Sequence, residues 1–270
     1  MRRIVHLSDL HFGWNDQSLV DSLSSKVHEI QPDLTVVSGD FVEHATAAEF
    51  AQAKRFYDSL PRPALAVPGN HDLPFYNFPL RVFRQLRFYR EYITDDLNPF
   101  YGDDEIAVMG VNTARVWPIR GGSISAVSIR EVEKKLCSVP EHATRILVTH
   151  HPFDLPAEYA RRHLLKNGEK ALEHLACCLD VLLAGHMHIG ASGRVADRFV
   201  TPNGSLIFSQ AGTAISKRYK GERNSFNLIE TQGSEIRIRK YTWDCDQSIY
   251  SGVPEEVVYR KDDALQVTLA

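Results

Sequence analysis

Six short aliphatic runs constrain this chain more than anything else: RIVHLS, LTVVSGD, ALAVPGN, IAVMGVN, RILVTHH and DVLLAGH each read as a strand buried on both faces. Helical patterns separate them. Leu19, Val20, Leu23, Val27 and Ile30 recur at helical spacing behind Asn15 and Asp16, either of which can cap the helix, and Pro32 stops it. Similar spacing predicts helices over about 46 to 60, 128 to 138 and 168 to 179. Strands alternating with helices in this way predict an α/β core. After Ala191 the texture changes to SLIFSQAG, SFNLIE and EIRIRKYTW, joined by Gly, Asn and Ser, which predicts antiparallel hairpins in place of further crossovers. No repeat or linker divides the chain, so residues 1 to 270 read as one domain with a mainly antiparallel C-terminal half from about 191. Residues 73 to 101 form an insertion dense in arginine and aromatics, with the make-up of a lid.

Composition excludes several partners. The chain carries 31 Lys and Arg against 34 Asp and Glu, so no strong nucleic-acid signal is present and no acidic membrane is favoured. MRRIVHLSDLH reaches Asp9 after an apolar run too short for a signal-peptide core, and no window approaches a membrane span, which together predict a cytoplasmic protein. Cys137, Cys177, Cys178 and Cys245 lack CxxC spacing, predict neither a disulfide framework nor a thiolate zinc site, and read as buried, reduced filler.

Five of the strands end in residues that bind metal: Asp9 and His11, then Asp40, then Asn70 and His71, then His150, then His186 and His188. Loops at the carboxyl ends of strands in an open α/β sheet line a shared crevice, so ligands far apart in sequence converge there. Alone, each His is a loop residue and each GD or GN a turn. Together, DxH, GD, GNH, H and GHxH fix eleven residues in order. Carboxylate, amide and imidazole donors suit Mn or Fe, with Zn as a further option, better than Ca.

The segments LSDLHFG, SGD, PGNHD, THHP and AGHMH resemble the calcineurin-like metallophosphoesterase superfamily, and most closely its bacterial class III cyclic nucleotide phosphodiesterases. The resemblance implies a four-layer αββα sandwich of two mixed β-sheets and two divalent transition metal ions. Asp9, His11, Asp40 and His188 would hold one, and Asp40, Asn70, His150 and His186 the other, with Asp40 bridging. Metals about 3.5 to 4 Å apart share and activate one water, which implies a phosphodiesterase attacking with a bridging hydroxide. A small-molecule phosphodiester, with cyclic nucleotides foremost, is the expected substrate. His71 lies off the metals in this family and is the expected catalytic acid. Asp72 and Glu43 are the candidate partners for its other ring nitrogen. By the family's H-x-P spacing His150 is the ligand, leaving His151 beside it.

Two departures narrow the subfamily. Purple acid phosphatases need a tyrosine where this chain has Glu43, and lipid A pathway pyrophosphatases carry arginine where it has His71. His151, Arg218 and Asn224 are candidate substrate contacts, although hairpin polarity accounts for the last two equally well. In the insertion, Arg81, Arg84, Arg87 and Arg90 with Phe83, Phe88, Tyr89 and Tyr92 fit three arrangements. They would hold a nucleotide over the site, pack Leu86, Tyr89 and Ile93 inward with solvated arginines, or form a homodimer contact. A phosphomonoesterase, a nuclease on the same fold and a non-catalytic scaffold are the competing functions. Scaffolds on this fold lose ligands that this chain retains.

Overall fold

The structure, a computed structural model, describes residues 1–74, 78–83, 85–117, 121–155, 163–195, 206–218, 221–260 and 268–269. Two mixed sheets face each other. The first sheet takes in β1 (Arg2–Leu7), β2 (Leu34–Val37) and β3 (Ala64–Ala66), all parallel, the second and third arriving through the helices α1 (Gln17–Ile30) and α2 (Ala47–Ser59). The short helices α3 (Phe78–Phe83) and α4 (Arg87–Tyr92) follow. The second sheet then begins with β4 (Phe100–Gly102) and β5 (Ile106–Gly110) and continues, after α5 (Ala126–Leu136), with β6 (Thr144–Val148). Helix α6 (Gly168–Leu175) leads to β7 (Val181–Ala184), β8 (Ala191–Arg194) and β9 (Ile207–Gln210). The chain returns to the first sheet as β10 (Ser225–Gln232), β11 (Glu235–Asp244), β12 (Ile249–Arg260) and β13 (Thr268–Leu269), an antiparallel ribbon added to the open edge of β1.

Alternation along the strands sorts the side chains into three apolar cores. Ile4, Val36 and Leu65 of the first sheet meet Val108, Ile146, Val148 and Leu183 of the second between the sheets. Val5, Leu7 and Val37 face the opposite way, onto Leu23 and Val27 of α1 and Phe50 and Phe56 of α2. Ala107, Met109, Leu147 and Leu182 pack on Val132 and Leu136 of α5 and Leu172 of α6. Helices, sheet, sheet and helices thus form the four layers expected. Caps fix where the helices begin: the Asp16 side chain accepts from Ser18 N–H, and Thr46 and Glu49 form a reciprocal capping box at α2.

Two expectations need correction. The run SLIFSQAG is not part of an antiparallel hairpin with SFNLIE: Ile207–Gln210 lies parallel to β7, and only β8 runs antiparallel to it. Its residues are buried on both faces, Ile207 between the sheets and Phe208 toward the helices, which is the signature of an interior parallel strand. The cysteines also differ. Cys137 and Cys178 form a disulfide, with Cα atoms 4.9 Å apart, while Cys177 and Cys245 are free and exposed. Packing of α5 on α6 brings together residues 41 apart, a separation that carries no spacing signal.

Within 73 to 101, Leu86 and Tyr89 are buried against Phe41 and Phe50, and Ile93 packs beside them, while Arg87 and Arg90 are exposed. Arg84 lies outside the described residues. Arg81 is buried, its guanidinium donating to the carbonyls of Val116, Arg115, Leu73 and Pro74. Among the described residues no helix is long and apolar enough to cross a membrane.

Candidate metal centre

The parallel strands of both sheets end at one edge, and their loops are sewn together there. Asp9 N–H donates to Gly39 O, His11 N–H to Asp40 O, and Gly185 N–H to His150 O. Close approach demands missing side chains. A Cβ on Gly69 would collide with Asp40, and one on Gly185 would collide with Ser8 Oγ and Asp9 Oδ2. Five of the seven expected ligands, Asp9, His11, Asp40, His186 and His188, have φ between 48° and 73°. Asp, Asn and His enter this left-handed region more readily than other side chains, and such conformations concentrate at functional sites. The same residue types therefore serve the turn and the ligand set.

Asp9, His11, Asp40 and His188 form one group whose ligand atoms all lie within 4.8 Å of each other. His188 Nε2 is 3.2 Å from Asp9 Oδ1 and 3.2 Å from His11 Nε2. Asp40 Oδ2 lies 3.8 Å from His11 Nε2 and 3.2 Å from His150 Nε2 on its other side. His150, His151 and His186 make a second group of the same compactness. Asn70 is buried between Gly69 and His71, both of which lie against Asp40, and its Oδ1 has no hydrogen-bond partner among the described residues.

The surroundings fix which atoms face inward. His150 Nδ1 donates to Ser38 O at 2.7 Å, His188 Nδ1 to Arg218 O at 3.3 Å, and His11 Nδ1 meets Glu43 Oε2 at 2.9 Å. Each leaves Nε2 for a cation. Asp9 Oδ2 accepts from Ser8 Oγ and His186 N–H, leaving Oδ1 inward, and Asp40 Oδ1 accepts from His71 N–H. Burial disfavours charge on all four central groups, yet their mutual attraction outweighs it. His11 and His150 are pushed up to about 9, and the Asp9 and Asp40 carboxyls are held well below the usual range. Protons here stand where cations fit, and the orphaned Asn70 oxygen with the convergent Nε2 atoms matches a divalent transition metal.

Other expected residues fall around this centre. His71 is partly exposed; its Nδ1 donates to Glu43 O at 2.9 Å and its Nε2 accepts from Arg218 Nη1 at 3.0 Å. Asp72 is not brought to the imidazole. It is buried, accepts from the N–H groups of Gly69, Phe41 and Val42, and so braces the GD loop against the GNH loop. Burial and the Asp40 charge push its carboxyl up to about 7. His151 is buried with Nδ1 2.9 Å from Thr113 Oγ1 and its ring 4.6 Å from that of His186. Asn224 is buried, and its Nδ2 donates to Ser216 O and Thr213 O, supporting the turn that precedes Arg218. Sequence reasoning missed Ser8 and Thr213, whose hydroxyls hold Asp9, and also Trp14, whose ring lies 5.9 Å from the Arg218 guanidinium carbon. The signal for Trp14 was an aromatic three residues beyond a ligand.

A two-sheet sandwich that gathers imidazole and carboxylate groups at its strand ends is an architecture suited to a metal-dependent hydrolase, and the family match specifies phosphoric esters. The chain belongs to the calcineurin-like phosphoesterase family, whose sequence profile matches residues 2–190. It is 26% identical over 200 residues to the 3',5'-cyclic adenosine monophosphate phosphodiesterase CpdA of Escherichia coli (strain K12), covering 69% of each chain. It is also 26% identical over 202 residues to the probable glycerophosphodiester phosphodiesterase GpdQ of Arcobacter nitrofigilis, covering 68% of this chain and 71% of that one. The fold is that of the purple acid phosphatase PPD1 from yellow lupin, with a TM-score of 0.69 and 12% identity over 89% of this chain. This chain spans about half the length of that phosphatase, matching 51% of it.

Proposed function

We propose that this protein is a phosphodiesterase working through two divalent cations, one held by Asp9, His11, Asp40 and His188, the other by Asp40, Asn70, His150 and His186. One observation carries the reading: a single carboxylate oxygen, Asp40 Oδ2, lies between His11 Nε2 and His150 Nε2, at 3.8 and 3.2 Å. Cations held by these residues would supply a nucleophile at neutral pH by lowering the pKa of water and would offset charge on the phosphoryl oxygens. The serine beside the centre that meets a histidine, Ser38 with Oγ 2.8 Å from His6 Nε2, is fully buried together with that histidine and so is not placed to attack an ester. Manganese or iron suits the donors best.

The chain's own groups do the rest. Glu43 holds His11 in its tautomer from the position where a purple acid phosphatase would carry tyrosine. The Arg218 guanidinium, at the rim, presents donors to an anionic ester. His71 keeps its Nδ1 proton on Glu43 O; once Arg218 Nη1 turns from His71 Nε2 to the ester, the freed Nε2 takes up from solvent the proton that it passes to the leaving alkoxide. A diester is favoured over a monoester because the relatives over two thirds of the chain are named for cyclic nucleotides and glycerophosphodiesters. Elemental analysis of protein purified without chelator should find about two transition metals per chain, and Asp40→Ala should lose both metal and turnover. One metal per wild-type chain, or an Asp40→Ala variant that stays loaded and active, would contradict the paired centre.

A further inference from the structure

Hydrolysis at a metal centre needs no indole, yet this chain keeps one at the rim. Trp14 is 50% exposed, and its backbone is pinned on both sides: its N–H donates to His11 O at 2.9 Å and its carbonyl accepts from Lys217 N–H at 3.0 Å. The Arg218 guanidinium carbon lies 5.9 Å from the centre of the indole ring. Nη1 of the same guanidinium is 3.0 Å from His71 Nε2 and 3.5 Å from Glu43 Oε2. A single arginine thus joins the metal centre to an exposed aromatic face, and its side chain retains 32% exposure. The turn that carries it is held from beneath by Asn224, so ring and guanidinium are placed before any ligand arrives.

We propose that Trp14 and Arg218 form a selective rim for phosphoesters that carry a nucleobase. The guanidinium takes a phosphoryl oxygen, for which its planar donor pair is suited, and the indole stacks the base attached to that phosphate through its sugar. Stacking is tolerant of base identity because every base has a π-face, so the rim selects a nucleotide over a glycerol ester and does not read a particular base. Covering the indole also removes apolar surface from water, which a glycerol moiety does poorly.

This inference rests on the phosphodiesterase reading above, and its test separates the two. Manganese-loaded wild type, Trp14→Ala and Trp14→Phe are compared for kcat/KM on 3',5'-cyclic AMP and on glycerophosphoethanolamine. Trp14→Ala should lower the ratio of the two by about tenfold, through KM, and Trp14→Phe should restore most of it. Equal losses on both substrates would overturn the rim while leaving the phosphodiesterase intact, as expected if Trp14 only packs against Arg218. A second readout needs no turnover. AMP should quench tryptophan emission more strongly than glycerol 3-phosphate does, and the difference should vanish in Trp14→Phe. If neither diester is hydrolysed, the phosphodiesterase reading fails and the quench alone decides: a difference that persists in Trp14→Phe rejects the rim.

Discussion

His71 and His6 show how one residue type is set to different work by its neighbours. Burial pushes the His71 imidazole down, its Nδ1 proton sits on Glu43 O, and Nε2 faces a permanent cation. Proton delivery then matters only where the leaving group is poor. His71→Ala should retain metal but lose roughly a hundredfold or more on an alkyl ester, and much less on a nitrophenyl ester. Steady-state rates on the two esters check this, and equal losses would remove the acid role. His6, buried in β1 with Nε2 2.8 Å from Ser38 Oγ, is pushed down to about 3 by burial. Its folded pKa lies below the unfolded value of 6.5, so the unfolded chain takes up the proton first as pH falls. The stability it contributes is complete above pH 6.5 and is lost on the way down to about 3. By pH 5 the loss is about 2 kcal/mol. Urea unfolding of metal-free protein at pH 7 and pH 5 should show this difference shrinking by that amount in His6→Gln; an unchanged difference would clear His6 of the effect.

Elements place the site through their ends. The capping box of α2 does more than start a helix, because Glu49 also accepts from His44 N–H and so ties down the loop that follows Asp40. Thr46→Ala should cost about 1 kcal/mol in a urea melt, with metal content preserved. A loss under about 0.3 kcal/mol would mean that Glu49 alone secures the turn. The helices and the parallel strands were legible because their periods are local: Leu19, Leu23 and Val27 declare α1, and β5, β6 and β7 read as unbroken aliphatic runs. The pairing of β9 was not. A four-residue strand looks the same beside either neighbour, and only burial of both its faces put it next to β7.

Over the whole molecule, the centre joins the two sheets. Asp9, His11, Asp40 and Asn70 come from the first sheet, and His150, His186 and His188 from the second. Cations held between them, as proposed, would bind only the folded chain. At a hundredfold excess over Kd that is worth about 2.7 kcal/mol per ion. Chelation should therefore lower the melting temperature by about 5 to 10 °C, with manganese restoring it. A melting temperature indifferent to chelator would deny that these loops hold metal.

The sequence by itself named the candidate donors and the aliphatic strands whose ends carry them, because each is written within a few residues. Asp9, His11, Asp40, Asn70, His150, His186 and His188 could be named as candidates without coordinates, and the structure brings Asp9, His11, Asp40 and His188 into one compact group, and His150 and His186 into another that meets it at Asp40. Only the tertiary structure decided what stands behind them: Glu43 on His11, Ser38 on His150, Asp72 beneath two loops, and Trp14 beside Arg218. The Cys137–Cys178 bond belongs with these. Such contacts join residues far apart in the chain and leave no period or spacing behind, so their partners are fixed only when the two sheets close on each other.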